Sequence, residues 1–213
     1  MSYKNWIFDF DGVLAESVQV KTDAFYELYK PFGKEIAEKV VKHHTANGGM
    51  SRFEKFPYYH KHFLNIKLSE NDVNQLSTEF SNLVVRGVIA SEEVRGANWF
   101  LEKNGLKQKW IVSATPTNEI NEIVETRKLS KYFINIYGSP EKKPPIVGKI
   151  IREHKLNKAD TVFLGDALSD YEAATENNID FILRETPENL ELFSEVTNII
   201  RFTDYYNLTE KLS

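Results

Sequence analysis

The chain of 213 residues can form one domain with a sizeable insertion, and its 41% hydrophobic residues are enough to bury a core. A net charge of −4 gives no reason to expect binding to nucleic acid or to an anionic membrane, and the lack of cysteine excludes disulfides and thiolate metal sites. No apolar run has the length of a membrane span, and Asp9 and Asp11 interrupt the apolar residues near the start, where a signal peptide would be continuous. We therefore expect a soluble, cytoplasmic globular protein.

The first predicted element is a short apolar strand at the head of the run Asn5-Trp6-Ile7-Phe8-Asp9-Phe10-Asp11-Gly12. Residues i and i+2 of a strand face the same side, so Asp9 and Asp11 are expected to converge beyond its end. Two adjacent carboxylates repel each other unless a cation or a shared proton lies between them. The run therefore suggests a chemical site, although Asp-Gly pairs also occur in ordinary turns.

The next segment, 17–86, has helical rather than strand patterning. Apolar residues recur at helical spacing from Val20 to Tyr29, and Ser69 followed by acidic residues is typical of a helix start. We interpret 17–86 as an all-helical insertion, and 1–16 with 87–213 as the domain that it interrupts. An insertion after the first strand would lie over the carboxylates, where a substrate lid belongs.

Alternating strands and helices are predicted in the rest of the chain. Strands are expected at 110–112, 133–137, 161–164, 180–183 and 197–200, with helical segments between them. The runs at 110–112 and 161–164 are short and uniformly apolar, as in the interior of a parallel sheet. The sequence thus predicts an α/β fold whose ligand binds beyond the carboxyl ends of the strands.

Three of these strand ends carry polar residues that would meet at one edge of the sheet: Asp9 with Asp11, Ser113, and Asp166 with Asp170. Carboxylate oxygens suit Mg²⁺, which an oxygen set of Asp9, Asp166 and a carbonyl near Asp11 could hold. An aspartate can attack phosphorus, and a neighbouring acid can transfer the protons. Phosphoryl transfer also needs a hydroxyl donor, which Ser113 supplies, and a nearby lysine.

The lysine is expected from the loop Gly138-Ser139-Pro140-Glu141-Lys142-Lys143, which follows a predicted strand and precedes a helix. Either Lys142 or Lys143 could enter the site, because a shift of one residue exchanges them. Surface lysines on a solvated loop are the alternative interpretation of this segment taken alone.

Four ordered motifs resemble those of the haloacid dehalogenase-like hydrolase superfamily. They are Phe8-Asp9-Phe10-Asp11-Gly12-Val13, Ser113-Ala114-Thr115, Lys143 and Gly165-Asp166-x-x-x-Asp170. The helical insertion resembles the cap of its phosphoglycolate phosphatase and β-phosphoglucomutase-like branch. The resemblance implies a Rossmann-like parallel sheet of strand order 5-4-1-2-3, with an all-helical cap inserted after the first strand.

The resemblance also implies roles for individual residues. Asp9 would be the nucleophile and Asp11 the general acid/base, while Mg²⁺ would be bound by Asp9, Asp11 and Asp166 with support from Asp170.

The phosphoryl group would be bound by Ser113, Ala114 and Lys143, since the spacing from Gly138 favours Lys143 over Lys142. Ala167 departs from the family pattern, because many relatives have a small hydroxyl residue there.

The function that follows is a Mg²⁺-dependent phosphatase acting on a small phosphate monoester, such as a sugar phosphate, through an aspartyl-phosphate. Dehalogenase relatives lack the second aspartate of the first motif, so Asp11 favours phosphate chemistry. A sugar phosphomutase uses the same two aspartates and is the first alternative. A non-catalytic binding protein on the same fold is the second, and both a monomer and a dimer remain open.

Substrate specificity is assigned to the cap residues Asn47, Arg52 and Lys55, near the flexible Asn47-Gly48-Gly49 loop and a predicted helix start. An ordinary helix start with solvated charges is the equal alternative. The cap histidines at 43, 44, 60 and 62 do not share one helix face, so we expect them at the solvated surface rather than on a metal. Residues 185–206 show no predicted site.

Overall fold

The computed structural model describes residues 3–213, whose strands form one parallel sheet. The strands are β1 (Asn5–Phe8), β2 (Gln108–Pro116), β3 (Asn135–Ser139), β4 (Thr161–Gly165), β5 (Asp180–Arg184) and β6 (Ile200–Phe202). They lie in the order β3-β2-β1-β4-β5-β6, and every neighbouring pair is parallel.

Helices alternate with these strands and also fill the predicted insertion. The insertion contains α1 (Val18–Tyr29), α2 (Lys34–Ala46), α3 (Arg52–Tyr59) and α4 (Glu70–Ala90). The remaining helices are α5 (Ala97–Lys103), α6 (Thr117–Thr126), α7 (Lys143–Glu153), α8 (Leu168–Asn177) and α9 (Tyr205–Leu212). Within the described residues, no helix combines the length and the apolar character that crossing a membrane requires.

The predicted α/β class with a Rossmann-like parallel sheet is confirmed. Strands β1 to β5 follow the expected order 5-4-1-2-3, and β6 extends the sheet beyond β5. The sequence predicts the last strand at 197–200, whereas β6 begins at Ile200. The reason is Asn198, whose left-handed backbone (φ 61°) cannot be part of an extended strand.

The central strand β1 is buried on both faces of the sheet. Trp6 and Phe8 pack into one hydrophobic core, and Ile7 packs into the core on the opposite face. This double burial explains why the strand is a continuous apolar run without polar alternation. Because β1 pairs with β2 on one side and β4 on the other, the residues that follow it emerge at the centre of the sheet's carboxyl edge.

The helical insertion has an aromatic core of its own. Phe25 contacts Phe56, Tyr59 and Phe80, with ring centroids 6.0, 5.9 and 4.3 Å away. The last helix, α4, continues past residue 86 as far as Ala90. The insertion is therefore a packed helical body rather than an extended loop.

Two histidines of the insertion lie in this core, so the expectation of a solvated surface is wrong for them. His44 and His60 are 5% and 4% exposed. His60 Nδ1 lies 3.0 Å from Tyr29 Oη, and His44 Nδ1 lies 2.8 Å from Lys55 Nζ. The Nδ1 of each ring thus has a polar partner, which makes burial of the imidazole tolerable.

The aromatic core predicts a large loss of stability on truncation. Phe80→Ala should lower the free energy of unfolding by about 3–5 kcal/mol, because Phe80 is 1% exposed and loses its contacts with Phe25. Leu83→Ala on the same helix, 48% exposed, should cost less than about 1 kcal/mol. Urea unfolding of the two variants measures the difference, and equal losses would contradict this assignment of the core.

Candidate active site

Three carboxylates meet at the carboxyl edge of the sheet. Asp9 directly follows β1, Asp166 directly follows β4, and Asp170 lies in the first turn of α8. One carboxylate oxygen from each lies within 4.8 Å of those of the other two. Asp9 and Asp170 are 5% and 0% exposed, so the cluster is mostly shielded from water.

Two glycines allow the backbone segments that carry these carboxylates to approach each other. A Cβ added to Gly12 would lie 2.2 Å from Asp166 Oδ2, and Gly12 also has a positive φ of 72°. A Cβ added to Gly165 would lie 2.2 Å from the Cβ of Asp170. Any side chain at either position would push the carboxylates apart.

Lys143 bridges two of the carboxylates. Its Nζ lies 2.9 Å from Asp9 Oδ2 and 2.6 Å from Asp170 Oδ1, and the side chain is 4% exposed. The adjacent Lys142 points elsewhere and forms an ion pair of 2.6 Å with Glu54 of α3. Of the two lysines that the sequence left open, Lys143 therefore contacts the carboxylate cluster.

The cluster has more negative charge than Lys143 balances. Burial, opposed by Lys143 and reinforced by Asp170 and Asp11, raises the pKa of Asp9 to about 7. Burial, together with Asp9 and Asp170, also raises the pKa of Asp166 well above its ordinary range. Burial opposes the charge on Lys143, but Asp170 and Asp9 raise the pKa of its ammonium, which stays charged. A further cation would relieve the remaining repulsion.

The donor set fits a divalent cation with oxygen ligands. The Asp166 carboxylate has no hydrogen-bond donor among the described residues, so its oxygens are open to a metal. Asp170 is already saturated, since Oδ1 accepts from Lys143 and Oδ2 accepts from the amides of Asp166 and Ala167 (3.2 and 3.1 Å). Asp170 can thus orient the segment that carries Asp166, the residue open to a metal. Ala167 has no side-chain hydroxyl group, but its backbone amide donates a hydrogen bond to Asp170.

Asp11 lies outside this cluster in a network that the sequence did not predict. Its Oδ1 accepts from Ser17 Oγ (2.6 Å), and its Oδ2 accepts from Lys21 Nζ and Thr115 Oγ1 (3.2 Å). Burial alone would raise the pKa of Asp11, but the Lys21 ammonium and these hydrogen bonds lower it below its ordinary value. The i, i+4 spacing of Lys21 and Ser17, the residue just before α1, was the available signal, because it places both side chains on one side of the start of that helix.

The predicted phosphate-binding residues Ser113 and Ala114 lie in the carboxyl-terminal half of β2. Ser113 is 1% exposed, and its Oγ accepts from the Thr115 amide (3.1 Å). Its hydroxyl hydrogen has no acceptor among the described residues and can donate to a ligand. Ala114 lines the same cavity as Lys143.

A cavity of about 610 Å³ lies between the helical insertion and this edge of the sheet. The insertion contributes Gln19, His44 and Asn47 to its walls, and the sheet side contributes Ala114, Lys143 and Asp166. Its volume is that of a small-molecule site. A ligand there would touch both parts of the chain.

Two of the predicted specificity residues lie on or beside this cavity. Asn47 lines it, with its Nδ2 donating to the His43 carbonyl (2.9 Å). Lys55 lies behind His44, is 1% exposed and contacts its Nδ1. Burial, with Lys21 and Lys143 nearby, lowers the pKa of Lys55 well below its ordinary value. The alternative of a solvated charge is wrong for Lys55.

Arg52, the third predicted specificity residue, is occupied by an ion pair. Its two terminal nitrogens donate to the two oxygens of Glu119 on α6 (3.0 and 2.7 Å), and both side chains are 4% exposed. Ser81 Oγ also contacts Glu119 (2.6 Å), and the Arg52 guanidinium lies over the Phe80 ring. Arg52 therefore joins the insertion to the sheet domain, and it is not solvated as the alternative supposed.

Asn189 is a further residue that the sequence did not indicate, since 185–206 was expected to hold no site. Its Nδ2 donates to the carbonyls of Asp166 and Arg184, each at 2.9 Å. Asn189 thereby fixes the backbone that carries the Asp166 carboxylate. No local pattern marks such a residue, because its partners come from other parts of the chain.

Comparison with known proteins points to one family. The family model described as haloacid dehalogenase-like hydrolase matches residues 6–184. No curated protein shows significant similarity to the chain.

Several solved structures share the fold. The chain is similar to a haloacid dehalogenase-like family hydrolase from Streptococcus pneumoniae (17% identity, 99% of each chain covered, TM-score 0.73). It is also similar to a "predicted phosphatase" from Clostridium acetobutylicum (18% identity, 100% of this chain and 99% of that chain, TM-score 0.75). A third is a "predicted phosphoglycolate phosphatase" from Haemophilus somnus (16% identity, 100% and 99%, TM-score 0.73).

The Arg52–Glu119 pair predicts a non-additive loss of stability. Arg52→Met should lower the free energy of unfolding by about 3–5 kcal/mol, because it leaves Glu119 buried without its partner. The double variant Arg52→Met/Glu119→Leu should be more stable than Arg52→Met, because it leaves no buried charge unpaired. A double-mutant cycle by chemical unfolding measures the coupling, and additive losses would refute a tight pair.

Proposed function

The chain belongs to the haloacid dehalogenase-like hydrolases, and on that basis we propose that it is a Mg²⁺-dependent phosphatase that hydrolyses a small phosphate monoester through an aspartyl-phosphate on Asp9. The observation that supports this best is that the edge of the sheet with Asp9 and Lys143 also holds Asp11, a carboxylate outside the cluster that has hydrogen-bond donors of its own. Displacement at phosphorus requires both a nucleophile and a group that moves protons. The names of two similar solved structures, a "predicted phosphatase" and a "predicted phosphoglycolate phosphatase", support this choice.

The metal would be held by Asp9, Asp166 and the backbone carbonyl of Asp11, with Asp170 as support. When bound, Mg²⁺ neutralises part of the negative charge that the phosphate and the carboxylates bring together. Asp166 is the best-supported metal ligand, because its carboxylate accepts no hydrogen bond from the described residues. The proposal of Mg²⁺ in particular follows from the all-oxygen donor set.

Hydrolysis then takes two steps at phosphorus. In the first, Asp9 attacks, an oxygen–phosphorus bond forms on its carboxylate, and the ester oxygen leaves with a proton from Asp11, which must first take up that proton when the anionic substrate binds beside it. In the second, Asp11 takes a proton from water, whose oxygen attacks phosphorus and releases Asp9. Ser113, the Ala114 amide and Lys143 are proposed to hold the phosphoryl oxygens throughout.

The substrate is proposed to be small and hydroxylated, as a sugar phosphate is. The cavity has a small-molecule volume and is closed on one side by the helical insertion. Asn47 is the predicted specificity residue that lines it, so its carboxamide is the first candidate for contact with the leaving group. Arg52 and Lys55 would act on specificity through their neighbours, Glu119 and His44.

Replacement of the nucleophile tests the reaction. Asp9→Asn should lower phosphate release by at least about 10³-fold without unfolding the protein, because an amide cannot form the phosphoenzyme. The assay uses sugar phosphates, phosphoglycolate and nucleotides, each with Mg²⁺ and with EDTA. The matched control is Asp160→Asn, which removes a surface ion pair with Lys4 just before β4, at the opposite edge of the sheet.

Two outcomes would contradict the phosphatase. Isomerisation of a sugar phosphate under activation by a bisphosphate, without net phosphate release, would identify a phosphomutase. If neither phosphate release nor isomerisation is detected with any compound, the result would identify a non-catalytic protein. Activity retained in Asp9→Asn would refute the covalent mechanism itself.

Metal binding can be measured separately from turnover. Asp166→Asn should weaken Mg²⁺ binding by at least about tenfold, because a carboxylate that accepts no hydrogen bond from the described residues becomes a neutral amide. Isothermal titration calorimetry with MgCl₂ gives the affinity, and Asp160→Asn is again the control. Unchanged affinity in Asp166→Asn would show that the metal binds elsewhere.

A further inference from the structure

Ser139 has a buried hydroxyl group without a hydrogen-bond partner. It is the last residue of β3 and is 2% exposed, and its Oγ has no hydrogen bond to any described residue. Ser139 lines the cavity together with Pro140 and Lys143. Buried polar groups are almost always hydrogen-bonded, because an unsatisfied one costs folding free energy. This hydroxyl group is therefore available to a ligand in the cavity.

The cavity walls also hold more carboxylates than cations. The glutamates that line the cavity are Glu16, Glu54, Glu141, Glu172, Glu176 and Glu188. Glu54 pairs with Lys142, and Glu16 pairs with Arg184. The other four have no ion pair with any described residue. The walls thus offer four free carboxylates to a ligand.

The cations on the same walls are already occupied. The two lysines and the arginine that line the cavity, Lys142, Lys143 and Arg184, each pair with carboxylates. His44 also lines it, and burial lowers the pKa of its imidazole well below the ordinary value. Burial likewise lowers the pKa of Lys55, which contacts His44 from behind. An anionic leaving group would therefore meet repulsion, whereas a cationic one would find free partners.

The unpaired charge includes the loop that follows Ser139. Glu141 lies two residues further along the chain, and Lys142 follows it. The hydrogen bond and charge of Glu54 raise the pKa of the Lys142 ammonium, with a smaller contribution from Glu172. Three carboxylates thus accompany one ammonium at this side of the cavity, where the Ser139 hydroxyl group also lies.

We propose that the leaving group of the substrate carries an ammonium group, as in the phosphate ester of an amino sugar or amino alcohol, and that it binds beside Ser139, Glu141 and Glu172. The proposal rests on the proposed phosphatase function and names its substrate class. The two carboxylates balance the positive charge, and the Ser139 hydroxyl group accepts a hydrogen bond from the ammonium. The glutamates are exposed, so the attraction weakens as salt screens it.

Esters that differ only in the charge of the leaving group test this preference. We compare kcat/KM with Mg²⁺ for 2-aminoethyl phosphate, 2-hydroxyethyl phosphate and phosphoglycolate, which have the same chain length. Glucosamine 6-phosphate, glucose 6-phosphate and N-acetylglucosamine 6-phosphate form a second series, in which acetylation removes the charge. In each series the amino ester should exceed the neutral ester about tenfold at low salt, and phosphoglycolate should be the poorest of its series. The ratio should fall to within about threefold in about 0.5 M NaCl.

Variants locate the binding site of the ammonium group. In Glu141→Gln/Glu172→Gln, the ratio of kcat/KM between amino and hydroxyl esters should fall to within about twofold. Ser139→Ala should raise KM for glucosamine 6-phosphate about fivefold, because one hydrogen bond is lost. The matched control, Glu153→Gln/Glu210→Gln, removes two exposed glutamates outside the cavity and should leave the ratio unchanged. Circular dichroism establishes that each variant keeps its fold.

Each result decides the proposal. Equal kcat/KM for amino and hydroxyl esters, or a preference for phosphoglycolate, would overturn it, as would hydrolysis of other phosphate esters but of neither amino ester. A ratio retained in Glu141→Gln/Glu172→Gln, or an unchanged KM in Ser139→Ala, would overturn the assigned site. If no phosphate ester is hydrolysed at all, the phosphatase function itself fails, and the substrate class falls with it. A preference that salt and the double variant both remove supports the proposal.

Discussion

Repulsion among buried carboxylates is the constraint that organises the carboxyl edge of the sheet. Asp9, Asp166 and Asp170 come from two separate parts of the chain, and they remain close because Lys143 lies between Asp9 and Asp170. The Asp166 and Ala167 amides donate hydrogen bonds to Asp170, and Gly12, which has no side chain, leaves space for the Asp166 carboxylate. The charge left over is what makes the edge suited to a cation and, with it, an anionic substrate.

Three charged residues of the helical insertion, Lys21, Arg52 and Glu54, form ion pairs with the sheet domain. Arg52 pairs with Glu119 in a buried, bidentate contact, and Lys21 reaches Asp11. Lys142 and Glu54 pair nearer the solvent, beside the cavity. Exposed pairs of this kind contribute little to stability, whereas breaking a buried pair is costly. The seating of the insertion thus depends most on its two least exposed pairs, Arg52–Glu119 and Lys21–Asp11.

The sequence was most informative where a residue's position follows from local rules. Asp9 and Ser113 follow apolar runs, and parallel strands place their carboxyl ends together, so the fold class and the meeting of these residues could be predicted. The contacts of Lys21, Arg52 and Asn189 could not be predicted, because no local pattern specifies which part of the chain packs against these residues. A basic residue near a helix start, such as Arg52, has the same local sequence whether it faces a ligand or a buried glutamate. The late start of β6 depends on the backbone of Asn198, which is likewise set by tertiary context.

The central place of β1 in the sheet has a consequence for synthesis on the ribosome. This strand is made before its two neighbours, which begin at Gln108 and Thr161, so both of its edges stay unpaired until β2 has been made and one edge until β4 has been made. The helices of the insertion, whose contacts are closer in sequence, can form in the meantime. A nascent chain therefore exposes the apolar segment Trp6-Ile7-Phe8 and its unpaired backbone edges until the later strands are made.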